Sequence, residues 1–116
     1  MLDAGHIAET LSRIRKVCLA LPETSERLSH GAPTFFFKSK RAFAMVLNDH
    51  HGDGRFAIWC AAEDGVQAML LGADPESYFV PPYVGHRGWL GVRLDRGLGT
   101  DEIAGILEDA YAEVAL

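Results

Sequence analysis

Four side chains that could bind a metal lie in one short stretch of the sequence, Asp49-His50-His51-Gly52-Asp53. Imidazole nitrogens and carboxylate oxygens are common metal ligands, but adjacent residues project in different directions and the sequence shows no further ligand cluster. The density of Asn, Asp and Gly between residues 48 and 54 is typical of a turn. A solvated hairpin loop is therefore the favoured interpretation, and the sequence predicts no metal site and no cofactor.

A second stretch, Gly85-His86-Arg87-Gly88, has the composition of an anion site. Backbone amides exposed in a turn, with an arginine beside them, can hold a phosphate or a carboxylate. The turn is expected between two strands rather than before a helix, which excludes P-loop and dinucleotide-binding motifs. Because glycine tolerates positive φ, a purely structural turn explains the same pattern and is favoured. His86 and Arg87 are nevertheless candidate ligands for a small anion.

Three basic residues, Lys38, Lys40 and Arg41, lie between two apolar runs at the expected tip of a hairpin. A basic tip can lie in a nucleic-acid groove or beside phosphates. Charged hairpin tips also serve solubility, and three charges give only modest, salt-sensitive binding. The solvated tip is favoured, and these residues are the candidate nucleic-acid contacts.

No catalytic residue is predicted, because the sequence contains neither a Gly-x-Ser-x-Gly motif nor a suggestive Cys-His pairing. Cys18 falls on the apolar stripe of an expected helix and Cys60 at the end of an expected strand, which indicates buried free thiols in a reducing compartment. His30 is a lone histidine, and such residues are usually structural. A non-enzymatic binding protein is therefore favoured over an enzyme.

The 116 residues, 48% hydrophobic and 23% charged, predict one globular domain that spans residues 1–116. The longest apolar runs are far shorter than the roughly 18 residues needed to cross a bilayer. The first residues lack the basic and apolar regions of a secretory signal. We therefore expect a cytoplasmic protein with no membrane association.

The net charge of −5 is unevenly distributed along the chain. Residues 1–50 contain seven basic and five acidic residues, a balance of +2, whereas residues 51–116 contain four basic and eleven acidic residues, a balance of −7. Strong binding to phosphate backbones independent of sequence needs clustered positive charge. This distribution argues against such strong binding.

Hydrophobic periodicity predicts three helices. Apolar residues recur at steps of three and four from Asp3 to Leu21, where Asp3 is the expected N-cap and Pro22 ends the helix. A helix of about two turns is expected over Glu63–Leu71, followed by Gly72. The last helix is expected to begin at Thr100 as its cap.

The strand pattern predicts an antiparallel sheet. The firm strands are Thr34–Lys38, Ala42–Leu47, Arg55–Cys60, Tyr78–Val80 and Trp89–Leu94, with a weak, polar one at Glu23–His30. Pro81-Pro82 must end or bend the strand that precedes it. We expect a two-layer α+β fold with an antiparallel sheet of about five strands, helices mainly on one face, and the order α-β-β-β-α-β-β-α.

Alternation along two of these strands directs aliphatic side chains to the helix layer and leaves Trp59 and Trp89, with Arg55 and Arg93, on the other face. That second face carries more apolar material than a solvated surface needs. It is expected to be covered by a partial second core under the loops, by a homodimer contact, or by a ligand or nucleic acid. Trp59, Trp89 and Arg93 thus join His86 and Arg87 as candidates for a ligand or partner surface.

Three segments carry a family resemblance: Leu21-Pro-Glu-Thr-Ser-Glu26, His30-Gly-Ala-Pro-Thr-Phe-Phe-Phe-Lys38 with Phe43-Ala44, and above all Tyr83-Val-Gly-His-Arg-Gly-Trp-Leu-Gly-Val-Arg-Leu-Asp95. In these segments, which extend over nearly the whole chain, the sequence resembles the MmcQ/YjbR family of small bacterial proteins. The resemblance implies a CyaY-like or secretion-chaperone-like fold and DNA binding. It implies no catalytic residues.

Two functions follow from these observations. The first is a non-enzymatic binding module with DNA as its partner. The second is a domain that binds a small anionic ligand or another protein on the aromatic sheet face, as a monomer or a homodimer.

Overall fold

The computed structural model describes residues 3–115. Over these residues it contains three α-helices and six strands, in the order α1 Ala4–Leu19, β1 Thr24–Ser29, β2 Ala32–Phe37, β3 Arg41–Asn48, β4 Phe56–Cys60, α2 Val66–Ala73, β5 Tyr78–Phe79, β6 Leu90–Arg93 and α3 Thr100–Ala115. Two short 3₁₀ turns, His50–Gly52 and Gly85–Arg87, interrupt the connections. No helix in this part of the chain combines the length and the apolar character that crossing a bilayer requires.

The six strands form one antiparallel sheet in the order β1-β2-β3-β4-β6-β5. The α+β fold class is confirmed, and the weak strand expected at Glu23–His30 is β1, which raises the number of strands from about five to six. After β4 the chain passes through α2 to the edge strand β5, then returns as β6 to pair with β4. The two ends of the Tyr78–Arg93 region are thus held next to each other in the sheet.

Helix α1 follows the predicted pattern. The Asp3 carboxylate accepts the amide hydrogen of His6 at 2.7 Å, which confirms the N-cap. The helix ends at Leu19, three residues before Pro22, and buries Ile14 and Cys18.

Helix α2 begins three residues later than expected, whereas α3 begins at Thr100 as expected but has a different cap residue. Helix α2 starts at Val66 rather than Glu63, because Gly65 adopts a left-handed conformation (φ 88°) that a helix cannot include. It continues through Gly72 and ends at Ala73. Thr100 is the first residue of α3, and the carbonyl of Gly99 accepts the first helical hydrogen bond from Ile103 at 3.1 Å, which makes Gly99 the N-cap.

A β-bulge in the β2–β3 pair places the ring of Phe43 beneath α3. Phe35 pairs with Ala44 and Phe36 with Ala42, so Phe43 is an extra residue in β3. Phe43 is fully buried and packs edge-on against Tyr111 of α3, with ring centroids 5.7 Å apart. The bulge therefore lets Phe43 join the core between the sheet and the helices.

The hairpins that join β1 to β2 and β2 to β3 have two and three linking residues respectively, and each turn contains two residues in the left-handed conformation. The first uses His30 and Gly31, and the second uses Lys38 and Ser39, with φ values of 52° and 58°. The amide of Lys40 donates to the carbonyl of Phe37 at 3.1 Å, which closes the second turn as type I′. Neither central residue of this second turn is glycine, so its backbone is strained.

Candidate functional site

The sheet face opposite the helices is a second core rather than an open platform. Trp59 and Trp89 are only 3% and 6% exposed, so the ligand or partner surface predicted on their rings is covered by the chain itself. The loop after β3 and the connection from β5 to β6 lie over this face, since His50 packs on Trp59 with ring centroids 4.8 Å apart and Tyr83 lies 6.1 Å from His50. The sequence predicted that loops, a second copy of the chain, or a ligand or nucleic acid would cover this face. In the structure, the chain's own loops cover it.

Arginine side chains lie over the aromatic rings of this face. The guanidinium carbon of Arg27 lies 3.6 Å from the ring centroid of Phe36, and that of Arg55 lies 4.1 Å from Phe79. Arg87 lies 5.5 Å from the centroid of Trp89. These cation–π contacts cover apolar rings and leave positive charge at the surface.

The turn at Gly85–Gly88 is fixed by Gln67 of α2. Its side-chain amide donates to the carbonyl of Gly85 at 2.9 Å and to that of Trp89 at 2.6 Å. The sequence gives no local signal for this contact, because it joins a helix to a turn far along the chain. These two hydrogen bonds, which we call the Gln67 clamp, hold the turn, and His86 and Arg87 are exposed beside each other on it.

Arg93, a candidate for the ligand or partner surface, makes a bidentate contact with Asp95. Its Nε and Nη2 donate to the two carboxylate oxygens of Asp95, each at 3.0 Å. The hydrogen bonds from Arg93 lower the pKa of Asp95, against the opposing effect of burial. The pair holds the end of β6 against the loop that leads to α3.

The three basic residues predicted as nucleic-acid contacts meet at the turn between β2 and β3, which we call the basic turn (residues 38–41). Lys38, Lys40 and Arg41, with Phe37 and Ala115, line a concave surface of about 370 Å³. The Arg41 Nη1 donates to the carbonyl of Val114 at 2.9 Å, which joins the turn to the end of α3. The basic turn is therefore tied to the end of α3.

The loop Asp49–Asp53 uses its carboxylates to fold its own backbone. Asp49 accepts the amide of Gly54 and Asp53 accepts the amide of Arg55, each at 2.8 Å. Within residues 3–115, no three His, Cys, Asp or Glu side chains converge as metal ligands would. His50 instead packs inward, and its Nε2 is buried without a hydrogen-bond partner among the described residues.

Tyr83 is the residue that sequence reasoning missed on this face. Its φ is 66°, and the amide of Val84 donates across it to the carbonyl of Pro82 at 2.7 Å. A positive φ spanned by such a bond defines a rare, strained γ-turn. Tyr83 is nevertheless 69% exposed, so the strain holds a large ring out in solvent.

Both cysteines lie in the core. Cys18 and Cys60 are fully buried free thiols, and burial raises the pKa of each to about 12. They are protonated at neutral pH and inaccessible, which removes them from the candidates for nucleophilic chemistry.

The described residues form a two-layer α+β domain with a basic turn at one end of its sheet. The family model YjbR matches residues 19–113, so the chain belongs to the YjbR family. The fold is also similar to the crystal structure of the Deinococcus radiodurans protein DR2400, whose domain is described as DUF419. The TM-score is 0.76 at 20% sequence identity, over 90% of this chain and 78% of that chain. No curated protein matches the sequence.

Proposed function

We propose that this YjbR-family protein binds nucleic acid through the basic turn. The observation that supports this most directly is the conformation of the turn itself. Lys38 and Ser39 both adopt the left-handed conformation, at a cost of about 1–2 kcal/mol for each non-glycine residue. A turn required only to reverse the chain favours Asn-Gly at these positions.

The turn is held rigidly despite this cost. The Nη1 of Arg27 donates to the carbonyl of Ser39 at 3.1 Å, while the Arg27 guanidinium rests on Phe36. Lys40 is exposed and makes no ion pair with any described residue, whereas Lys38 lies 3.9 Å from Glu23. Strained backbone conformations that neighbouring contacts maintain are common at functional sites. Here the strained turn presents lysine side chains at the surface.

Most of the acidic residues lie in the second half of the chain, whereas the basic turn lies in the first half. Helix α3 alone contributes five exposed acidic residues to the helix layer, Asp101, Glu102, Glu108, Asp109 and Glu113. The basic turn itself contains three basic residues, and Glu23 lies 3.9 Å from Lys38. We expect weak binding with a log–log salt slope of about −2 to −3, as contacts to about three phosphates produce.

A small anionic ligand at the Gly85–Gly88 turn is the second candidate. It is supported by the Gln67 clamp, which leaves exposed His86 and Arg87 on a fixed backbone. A thermal-shift series with phosphate and carboxylate compounds tests it, and stabilisation that an Arg87→Ala variant no longer shows would support it.

Fluorescence anisotropy with labelled duplex and single-stranded DNA across a salt series tests the nucleic-acid proposal. The double variant Lys38→Glu/Lys40→Glu should weaken binding at low salt by about tenfold or more, because two phosphate contacts become repulsive. Lys16→Glu, an exposed charge reversal on α1, is the control matched in charge to the single variant Lys40→Glu and should have a much smaller effect than that variant. Absence of binding at low salt, or equal losses in the two single variants, would refute the proposal.

A further inference from the structure

We infer that Tyr83 is a stacking platform for an unpaired base, and that the nucleic acid this protein prefers is therefore single-stranded. This inference rests on the nucleic-acid binding proposed above and adds a second contact point at a distance from the basic turn. Tyr83 combines a strained backbone with an exposed ring.

The backbone around Tyr83 is fixed on both sides. Pro82 has a restricted φ, Pro81 is buried, and the amide of Gly85 donates to the carbonyl of Pro81 at 3.0 Å. Gln67 then holds the carbonyl of Gly85. The ring is thus presented on a rigid support, which reduces the entropy lost when a ligand stacks on it.

Tyr83 is the only exposed residue among the described Phe, Tyr and Trp side chains, and several of the buried rings on this face are covered by arginines. The ring of His50 meets that of Tyr83 nearly perpendicularly, at 86°. An edge-to-face neighbour combined with 69% exposure leaves ring surface on which a base can stack. Base–aromatic stacking is tolerant of sequence, because every base has a π-face.

The surroundings of Tyr83 favour a nucleic acid over a protein partner. The exposed apolar side chains beside it on the same segment are Val80 and Pro82, too few for the area that a stable protein interface buries. The same segment carries exposed His86 and Arg87, and Arg87 can contact a phosphate while it rests on Trp89. An exposed ring beside a guanidinium combines the two kinds of contact, base stacking and phosphate binding, that single-strand-binding proteins use.

The sheet register gives the distance across this face between Arg27 and Trp59. Arg27 pairs with Thr34, Thr34 with Met45 and Met45 with Trp59, so Arg27 lies three strands from Trp59. At the usual strand spacing this is about 14 Å across the face. Tyr83 is linked to Trp59 through the ring of His50, and Arg27 bonds the carbonyl of Ser39 in the basic turn, so the exposed ring and the basic turn both connect to this face. A flexible single strand can contact both, whereas a duplex keeps its bases inaccessible to stacking.

The test compares a labelled single strand of mixed sequence with its duplex at low salt, using the wild type, Tyr83→Ala and Tyr83→Phe. The wild type should bind the single strand more tightly than the duplex. Tyr83→Ala should weaken single-strand binding by about tenfold and leave duplex binding unchanged, whereas Tyr83→Phe, which keeps the ring, should bind as the wild type does. Circular dichroism and thermal melts establish that each variant is folded.

Three other outcomes would overturn the inference, and they are distinguishable. If Lys38→Glu/Lys40→Glu weakens binding but Tyr83→Ala does not, or if duplex and single strand bind equally, stacking is refuted and the proposed function survives. If neither nucleic acid binds at low salt, both proposals fail. If light scattering shows a wild-type homodimer that Tyr83→Ala dissociates, the ring is a self-association contact instead.

Discussion

Replacement of Gly91 by alanine tests whether the face opposite the helices is a packed core. A Cβ at Gly91 would lie 2.5 Å from Cε2 of Phe79 and 2.6 Å from its Cδ2 and Cζ. Carbon atoms in contact are normally about 3.5–4.0 Å apart, so the ring must withdraw by about 1 Å. Phe79 is 7% exposed and is covered by Arg55, so it cannot withdraw without disturbing that contact.

The cost of Gly91→Ala follows from this geometry. Overpacking a core costs about 1–3 kcal/mol. Expulsion of the Phe79 ring would forfeit about 1.5–3 kcal/mol of burial free energy. We expect a loss of about 2–3 kcal/mol in the free energy of unfolding, equivalent to a decrease in Tm of about 8–12 °C for a chain of this size.

Urea unfolding followed by tryptophan fluorescence and circular dichroism measures this loss. Gly105→Ala is the matched control, because nothing lies within 4 Å of its Cβ position in α3 and alanine should stabilise a helix by up to about 1 kcal/mol. The double variant Gly91→Ala/Phe79→Leu should lose less than the sum of its single variants, because leucine leaves space for the methyl group. A Gly91→Ala variant as stable as the wild type would show that Phe79 does not pack on Gly91.

Two further predictions concern titratable groups. Cys18 and Cys60, whose pKa is about 12, should not react with a thiol reagent in the native protein and both should react in denaturant; rapid native labelling would contradict their burial. The pKa of Asp95 is lowered from 3.8, so the stability it contributes at neutral pH should be lost as the pH falls from 3.8 through its folded pKa. Asp95→Asn should therefore lower stability at neutral pH and flatten the acid limb of the stability profile, and an unchanged profile would argue against the Arg93 contact.

Much of the fold was predictable because its signals are local. The spacing of Ile14 and Cys18 predicted α1 and its buried side, and the apolar runs on either side of the basic turn predicted β2 and β3. Strand alternation placed Trp59 and Trp89 on the face away from the helices. It did not show that the following loops cover that face, because coverage depends on how distant segments pack.

The features missed by sequence reasoning depend on distant contacts or on backbone conformation. Gln67 contacts a turn that follows it by about twenty residues, and no periodicity marks such a side chain. Tyr83 and Lys38 have positive φ although neither residue type favours it, so turn propensities point away from the observed geometry. The role of Gly91 depends on another strand, since its missing Cβ makes room for the ring of Phe79.

The strand order has a consequence for synthesis of the chain. Every residue of β4 is buried, and one of its edges pairs with β6, which is made only after α2 and β5. While the ribosome extends the chain from Cys60 to Arg93, that apolar edge has no partner and is open to pairing with another nascent chain. The insertion of β6 between β4 and β5 thus makes the interval between these two strands the period when the protein is most prone to aggregation.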